Sequence, residues 1–377
     1  MASHFAHIDT TIHPEDEMFL SAVKALPSVG LAKAVYLRQG FEINSTLQAV
    51  LDWVAHPDKS SAKVLDFACG YGRSTRFLVA EIPAANVWVS DIDEAAVEFQ
   101  KAEFAVNGFV SSYEPRDVVC GERFDLIFVA SLFTHLPRYR FEQWLRRLLG
   151  LLKDKGVLAI SVHDSALSNG RPMPSDGFLF VPESESRSLD VNEYGSTYVS
   201  EAYVSGAVRS LFGGEVAYRR LPLALCGSHD MYLLSRRSVE EFDSFEFANP
   251  PVGYVDWFSL SEEGVFRIGG WAADHDPANE ITSIRVFFDG IVVGEVKTGY
   301  EREDVAASLG VEGARFSGWD FWKKGVDREA DGGKVVEVVV TSSSGRTTTL
   351  HSSEVRDASL PTLPVPQERV AWLAGSS

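Results

Sequence analysis

Residues 64–78 read VLDFACGYGRSTRFL, a run whose residue types suggest a binding site. Two apolar residues lead into a carboxylate, Asp66. A small-residue turn, Ala68-Cys69-Gly70-Tyr71-Gly72, follows, and Arg73 to Leu78 fall in helical register. A strand, a tight glycine turn and a helix leave backbone N–H groups and a helix N-terminus facing a ligand. Such a cradle serves a dinucleotide, a phosphate or a nucleoside. A second carboxylate, Asp91 in VWVSDID, stands about 20 residues beyond the glycines, where an acidic residue holds ribose hydroxyls.

A nicotinamide-type fingerprint reads G-x-G-x-x-G, its third glycine letting helix and strand pack closely. Here Gly70-Tyr71-Gly72 runs into Arg73, Ser74 and Thr75, so that glycine is missing. Asp91 does not discriminate, because both kinds of cofactor need a carboxylate on a ribose. Asp66 does. It precedes the glycines, where a dinucleotide site would set no charge against its pyrophosphate, and it suits a ligand with a cationic end.

Three histidines are candidates for proton transfer: His135 in SLFTHLP, His163 beside Asp164 in AISVHDS, and His229 beside Asp230. An unperturbed imidazole, with a pKa of ~6.5, takes a proton readily near neutrality. Each also has a plain structural reading. His135 precedes Leu136-Pro137 and could shape a helix start; His163 and His229 could be packed at strand ends. The His/Asp pairs could hold a divalent ion, but no ligand spacing is diagnostic and no metal ligand is assigned.

The elements that must position these residues come from the rest of the chain. At 377 residues it is long enough for two or three domains. A net charge of −18 and a pI near 4.9 argue against a nucleic-acid partner, which clustered Lys and Arg would bind. The basic run 138–147 is the local exception. Three widely spaced cysteines without a C-x-x-C pair fit a reducing compartment. Residues 1–30 lack the apolar core of a signal peptide, and no run approaches the ~18 apolar residues of a membrane span. The expected location is the cytoplasm.

Residues 15–53 carry helical periodicity. From residue 63 strands (64–67, 86–90, 124–129, 156–162) alternate with helices (74–81, 94–104, 139–152), the pattern of a parallel sheet covered on both faces. A helix over 197–212 and strands over 216–223 and 231–236 follow. Residues 240–252, acid-rich and ending Asn249-Pro250-Pro251, read as a linker. Beyond Tyr254 the periodicity is that of strands alone, with Asp289-Gly290 and Ser344-Gly345 placed at hairpin turns. Six or seven strands in about 100 residues suggest a small sandwich.

The pattern D-x-A-x-G-x-G followed by VWVSDID resembles the class I S-adenosylmethionine-dependent methyltransferases. The resemblance extends over FDLIFVASLFTHLP, EQWLRRLLGLLKDKGVLAISVHD, AVYLRQG and GSHDMYLLSR, covering about residues 34–236. It implies a Rossmann-like α/β fold, a parallel sheet with a closing antiparallel strand. It also implies S-adenosyl-L-methionine as cofactor and a role for each residue. Asp66 would lie near the methionine amino group, Gly70 and Gly72 would admit the ligand close to the backbone, and Asp91 would accept both ribose hydroxyls. Ile92 would pack near the adenine, Tyr36 would close over the methionine end, and Ser131 would line the loop after the fourth strand. Ala68 stands where the family usually has its first glycine and fits if its φ stays negative. Lys155 replaces a turn glycine.

The segment GVFRIGGWAADHD…ARFSGWDF resembles a β-sandwich module attached to bacterial glycosyltransferases and methyltransferases of surface-polysaccharide synthesis. Its Trp271, Trp319, Phe321 and Trp322 either stack on sugar rings or fill the core. The expected organisation is a helical segment (1–58), a methyltransferase domain (59–237), a linker (238–253), the β-module (254–356) and a tail (357–377). The expected activity is O-methylation of a sugar hydroxyl of a bacterial glycan or its precursor. His163, His135, Asp164 or His229 would be the base, and a second copy of the chain a further partner. Methylation of a small natural product or metabolite is the alternative, and an inactive glycan-binding scaffold is the reading from another class.

Overall fold

The computed structural model describes residues 8–168, 170–183 and 189–358, so nearly all of the expected tail falls outside the described residues. Two compact units share them: residues 8–20 with 39–247, and residues 21–38 with 248–358. Two helices come first, α1 (Glu17–Ala25) and α2 (Val29–Val54), each divided between the units.

The larger unit continues with β1 (Val64–Phe67), α3 (Thr75–Leu78), β2 (Val87–Asp91), α4 (Glu94–Phe104), β3 (Asn107–Val110), β4 (Phe124–Val129), α5 (Arg138–Leu149) and β5 (Leu152–Asp164). After these come β6 (Phe178–Val181), β7 (Ser196–Val199), α6 (Glu201–Phe212), β8 (Ala217–Leu225), β9 (His229–Ser235) and α7 (Val239–Asp243). Strands β3-β2-β1-β4-β5 are parallel neighbours; β9 pairs antiparallel with β5, and β8 with β9. This is the expected Rossmann-like methyltransferase sheet. Its strands read as continuous apolar runs because both faces are covered. Leu65, Phe67, Ile127, Leu158 and Ile160 bury on one face with Phe141, Leu145 and Leu148 of α5. Val64, Leu126, Phe128 and Val157 bury on the other with Ile43, Leu47 and Leu51 of α2.

Two expectations are corrected here. Residues 196–199 are strand β7, not helix: Thr197, Tyr198 and Val199 suit a pleated ladder, and α6 starts only after Ser200, whose hydroxyl caps it by accepting from the Tyr203 N–H. The stretch read as a linker over 238–253 begins instead with α7, started by a Ser238–Glu241 capping box. Phe242 and Phe245 are buried there, their rings 5.4 and 4.9 Å from Trp53.

The second unit holds β10 (Val252–Leu260), β11 (Val265–Ala273), β12 (Ile281–Phe288), β13 (Ile291–Val296), α8 (Glu303–Leu309), β14 (Gly318–Lys324), β15 (Val335–Ser342) and β16 (Thr347–Glu354). They form two antiparallel sheets, β10-β11-β14 and β13-β12-β15-β16. Phe258, Phe266, Ile268, Trp319 and Phe321 of the first share one core with Ile284, Val286, Val336 and Val338 of the second. Asp289 (φ 48°) and Gly290 (φ 77°) make the expected hairpin turn between β12 and β13. Leu31 and Ala34, from the start of α2, bury with Val335 of β15.

Candidate functional site

The glycine turn sits at the carboxyl end of β1. Asp66 is 2% exposed, and its Oδ2 accepts hydrogen bonds from the hydroxyls of Ser74 (2.9 Å) and Thr75 (2.8 Å). Burial pushes its pKa up to about 6, the two hydroxyls pull it down, and the nearby Asp91 charge adds to the rise. The turn then takes positive φ at Ala68 (58°), Gly70 (51°) and Gly72 (78°). The expected negative φ at Ala68 is thus corrected. The N–H groups of Ala68 and Cys69 both donate to the Ser90 carbonyl, which holds the chain in that conformation. Gly72 needs to be glycine for space as well, since a Cβ there would lie 2.5 Å from the Phe104 ring. At Gly70 a Cβ would meet nothing within 4 Å, so that side of the turn is open.

Asp91 closes β2 and is partly exposed. Its Oδ2 accepts from the Gly70 N–H (2.8 Å) and its Oδ1 from the Asp93 N–H (3.0 Å). Burial raises its pKa first, and these two N–H bonds oppose the rise. The Gln100 amide donates to the Gly70 carbonyl at 2.7 Å, tying α4 to the turn. Ile92 is exposed just beyond. Ser131 follows β4 with φ 65°, and its N–H donates to the Ser161 hydroxyl at 2.7 Å. Tyr36 is buried within α2, in the part of the helix that groups with the second unit.

The three candidate histidines come together at the carboxyl ends of β4 and β5 and the start of β9. The His163 ring is 6.4 Å from that of His135 and 4.6 Å from that of His229. His135 Nδ1 lies 2.7 Å from the Gly195 carbonyl and His163 Nδ1 lies 3.3 Å from the Thr197 carbonyl. A carbonyl only accepts, so Nδ1 donates in both rings, and in His163, which burial keeps neutral, Nε2 is left with its lone pair. Burial lowers the pKa of His163 to about 4 and that of His229 to about 3, and neighbouring imidazoles add to both shifts. His229 Nδ1 is buried without a hydrogen-bond partner.

The remaining candidates serve differently. Asp164 Oδ2 accepts from Arg220 at 3.0 Å and its Oδ1 from the Ala166 N–H at 2.8 Å. Asp230 accepts from the same guanidinium at 2.7 Å, and Glu201 at 3.0 Å. One arginine thus holds the residues beside His163 and His229 and leaves Asp164 engaged. Among the described residues no group of three or more His, Cys, Asp or Glu side chains is arranged to hold a metal ion.

Sequence reasoning missed several of these parts. Ser74 and Thr75 were visible as hydroxyls opening the helix after the glycines, and their spacing from Asp66 was the available signal. Tyr194 stacks on His135 at 4.4 Å and Tyr198 on His163 at 5.3 Å, both supplied by the β6–β7 hairpin, an insertion whose irregular sequence carries no such signal.

Residues 65–158 match a family model described as a methyltransferase domain. A trans-aconitate 2-methyltransferase of Variovorax paradoxus is 31% identical over 137 residues, 35% of this chain and 49% of that protein. A ribosomal RNA small subunit methyltransferase C of Hamiltonella defensa is 39% identical over 69 residues, 18% of this chain and 20% of that one. The chain thus spans about half or less of the curated relatives it matches. An S-adenosylmethionine-dependent methyltransferase from Clostridium acetobutylicum overlays 52% of this chain and 90% of its own at 12% identity and a TM-score of 0.37. No helix among the described residues is long and apolar enough to cross a membrane.

Proposed function

We propose that this chain, which carries an S-adenosylmethionine-dependent methyltransferase domain, moves the methyl group to a sugar hydroxyl of a glycan or glycan precursor. The residues at the glycine turn fit the cofactor. Asp66 is a desolvated carboxylate that an ammonium group would neutralise, Gly70 is open on its Cβ side, and each Asp91 oxygen has a further lone pair for a ribose hydroxyl. When bound, the cofactor supplies a methyl carbon made electrophilic by its sulfonium sulfur.

The observation that carries the choice of acceptor is the histidine cluster. An alcohol must lose a proton as its oxygen attacks, whereas a carboxylate is already ionised and needs a cation to hold it. His163 is a neutral imidazole whose Nε2 is a proton acceptor. Arg220 is engaged by three carboxylates, and Arg73, whose charge acts on both Asp66 and His229, donates to the Gln39 side-chain oxygen. We assign proton uptake to His163 Nε2, with His135 as the alternate base. His229 packs edge-on against His163, and Asp164 holds the end of β5. Tyr194 and Tyr198 flank the two rings and would help to exclude water from an acceptor held about 3–3.5 Å from the methyl carbon. The reading places the reaction in the cytoplasm.

Transfer of labelled methyl groups to a panel of nucleotide sugars and oligosaccharides, with trans-aconitate as the carboxylate control, tests this. Label on saccharide hydroxyls is expected. Label on trans-aconitate alone would replace the proposal with the small-metabolite reading that the Variovorax relative's name suggests.

A further inference from the structure

We propose that the outer face of the three-stranded sheet β10-β11-β14 is a binding site for an oligosaccharide. Trp319 and Phe321 point into the core, so the period of two turns Asp320 and Trp322 outward. The ladder then sets two rows across this face: Trp257, Gly269 and Asp320, and beside it Ser259, Arg267 and Trp322. A Cβ at Gly269 would lie 2.3 Å from the Trp257 indole, so the glycine is what lets that ring lie down on the sheet. The Arg267 guanidinium stands 5.3 Å from the same ring and donates to Asp320 Oδ2 at 3.0 Å, which fixes its plane. Trp322 stays 57% exposed and Trp257 37%. Of the four aromatics singled out in the sequence, Trp319 and Phe321 are core and Trp271 packs with Val305 and Leu309 of α8. Trp322 alone is left outside, joined by Trp257, which the motif did not flag.

Each of these partly exposed tryptophans forgoes part of a burial worth up to about 3 kcal/mol, and two of them flanking a fixed ion pair point to a ligand. The pattern selects its chemistry. A pyranose has an apolar C–H face, which suits the negative face of an indole, and hydroxyls around its rim, which suit a guanidinium and a carboxylate set beside the plates. The indoles belong to strands two spacings apart, ~10 Å, which is room for more than one ring. A second copy of the chain fits less well, because the centre of a dimer face is depleted of charge and this face has Arg267–Asp320 at its centre. Lys324 stands 5.7 Å from the Trp322 ring, much as Arg267 stands over Trp257, but Asp320 offsets one of these cations and a net charge of −18 disfavours a nucleic acid.

Titration calorimetry of the full chain with cello-, manno- and malto-oligosaccharides tests the site. Saturable binding to at least one series is expected. Trp322→Ala and Trp257→Ala should each weaken it about tenfold, and Trp322→Phe, which keeps a plate, should retain most of it. The far-ultraviolet circular dichroism and melting profile should be unchanged in all three variants, showing that the β-unit remains folded, and S-adenosylhomocysteine affinity should be unchanged as well. No saturable heat with any series, or binding that both alanine variants keep, would overturn the proposal. Methyl transfer is read separately, so saccharide binding without methylation refutes only the acceptor proposed above. Methylation of an oligosaccharide at unchanged KM by both alanine variants refutes only this site.

Discussion

Asp66 and His163 are both shifted by burial, yet the shifts have opposite consequences in acid. Asp66, at about 6 in the folded chain against ~3.9 when free, is half-protonated just below neutrality. Between those two values the folded chain holds a proton that the unfolded chain has lost, so this group's contribution to stability falls as pH rises from ~4 to 6. A cationic ligand needs the ionised form, so S-adenosylhomocysteine affinity should rise through pH 6 and flatten above it. Calorimetry from pH 5 to 8 should show up to about tenfold weakening per unit below 6, and Asp66→Asn should bind weakly with no such slope. His163 behaves otherwise. With its pKa lowered to about 4, it stays a neutral acceptor through mild acid, so with the cofactor saturating at each pH the acid limb of kcat/KM for the acceptor should lie near pH 4 rather than near 6.5. The unfolded chain protonates this ring at ~6.5, so its contribution to stability is lost as pH falls from there towards 4. His163→Ala should cut the transfer rate about 10²- to 10⁴-fold while S-adenosylhomocysteine affinity holds. A near-normal rate in both His163→Ala and His135→Ala would place the base elsewhere.

The β1–α3 turn is the element in which strain and binding meet. Ala68 takes a left-handed conformation that costs an L-residue about 1–2 kcal/mol, and two backbone hydrogen bonds to Ser90 hold it there. Ala68→Gly would remove that strain and return some of it as unfolded-chain entropy, so a net stabilisation of about 0.5–1 kcal/mol is expected in urea melts. An unchanged or lower midpoint would mean that the Ala68 methyl packs well enough to offset its φ. The same turn shows what a sequence makes legible. Asp66, Gly70, Gly72 and Asp91 could be read because a tight turn at a strand end restricts residue types locally, and the parallel strands could be read because burial on both faces makes them uniformly apolar. Strand β7 and helix α7 could not. Residues 196–199 become a strand through pairing with β5 and β6, and Phe242 finds Trp53 from across the sequence. The positive φ at Ala68 likewise depends on a carbonyl in the neighbouring strand. Tertiary partners decide these cases, and a local pattern does not contain them.

For the molecule as a whole, the division into units falls where composition does not mark it. An acid-rich, proline-ended stretch suggests a cut at residue 237, but Phe242 and Phe245 complete the larger unit's core, and residues 21–38 group with the β-sheets. A chain ending at 237 should therefore leave Trp53 and its neighbours exposed. Losing one buried phenylalanine costs about 3–5 kcal/mol, a large part of a domain's stability, so that fragment should unfold or aggregate where one ending at 247 does not. The β-unit has the converse requirement. Leu31 and Ala34 cover Val335 on the outer side of β15, so residues 248–358 alone would present that strip to water. Fusing residues 21–38 back to this fragment through a flexible linker should raise its melting temperature, and Leu31→Asp in the fusion should cancel the gain. If 248–358 melts at the same temperature with and without the helix, the β-unit is self-sufficient. Its boundary would then lie at residue 248, and the helix would contribute nothing to its stability.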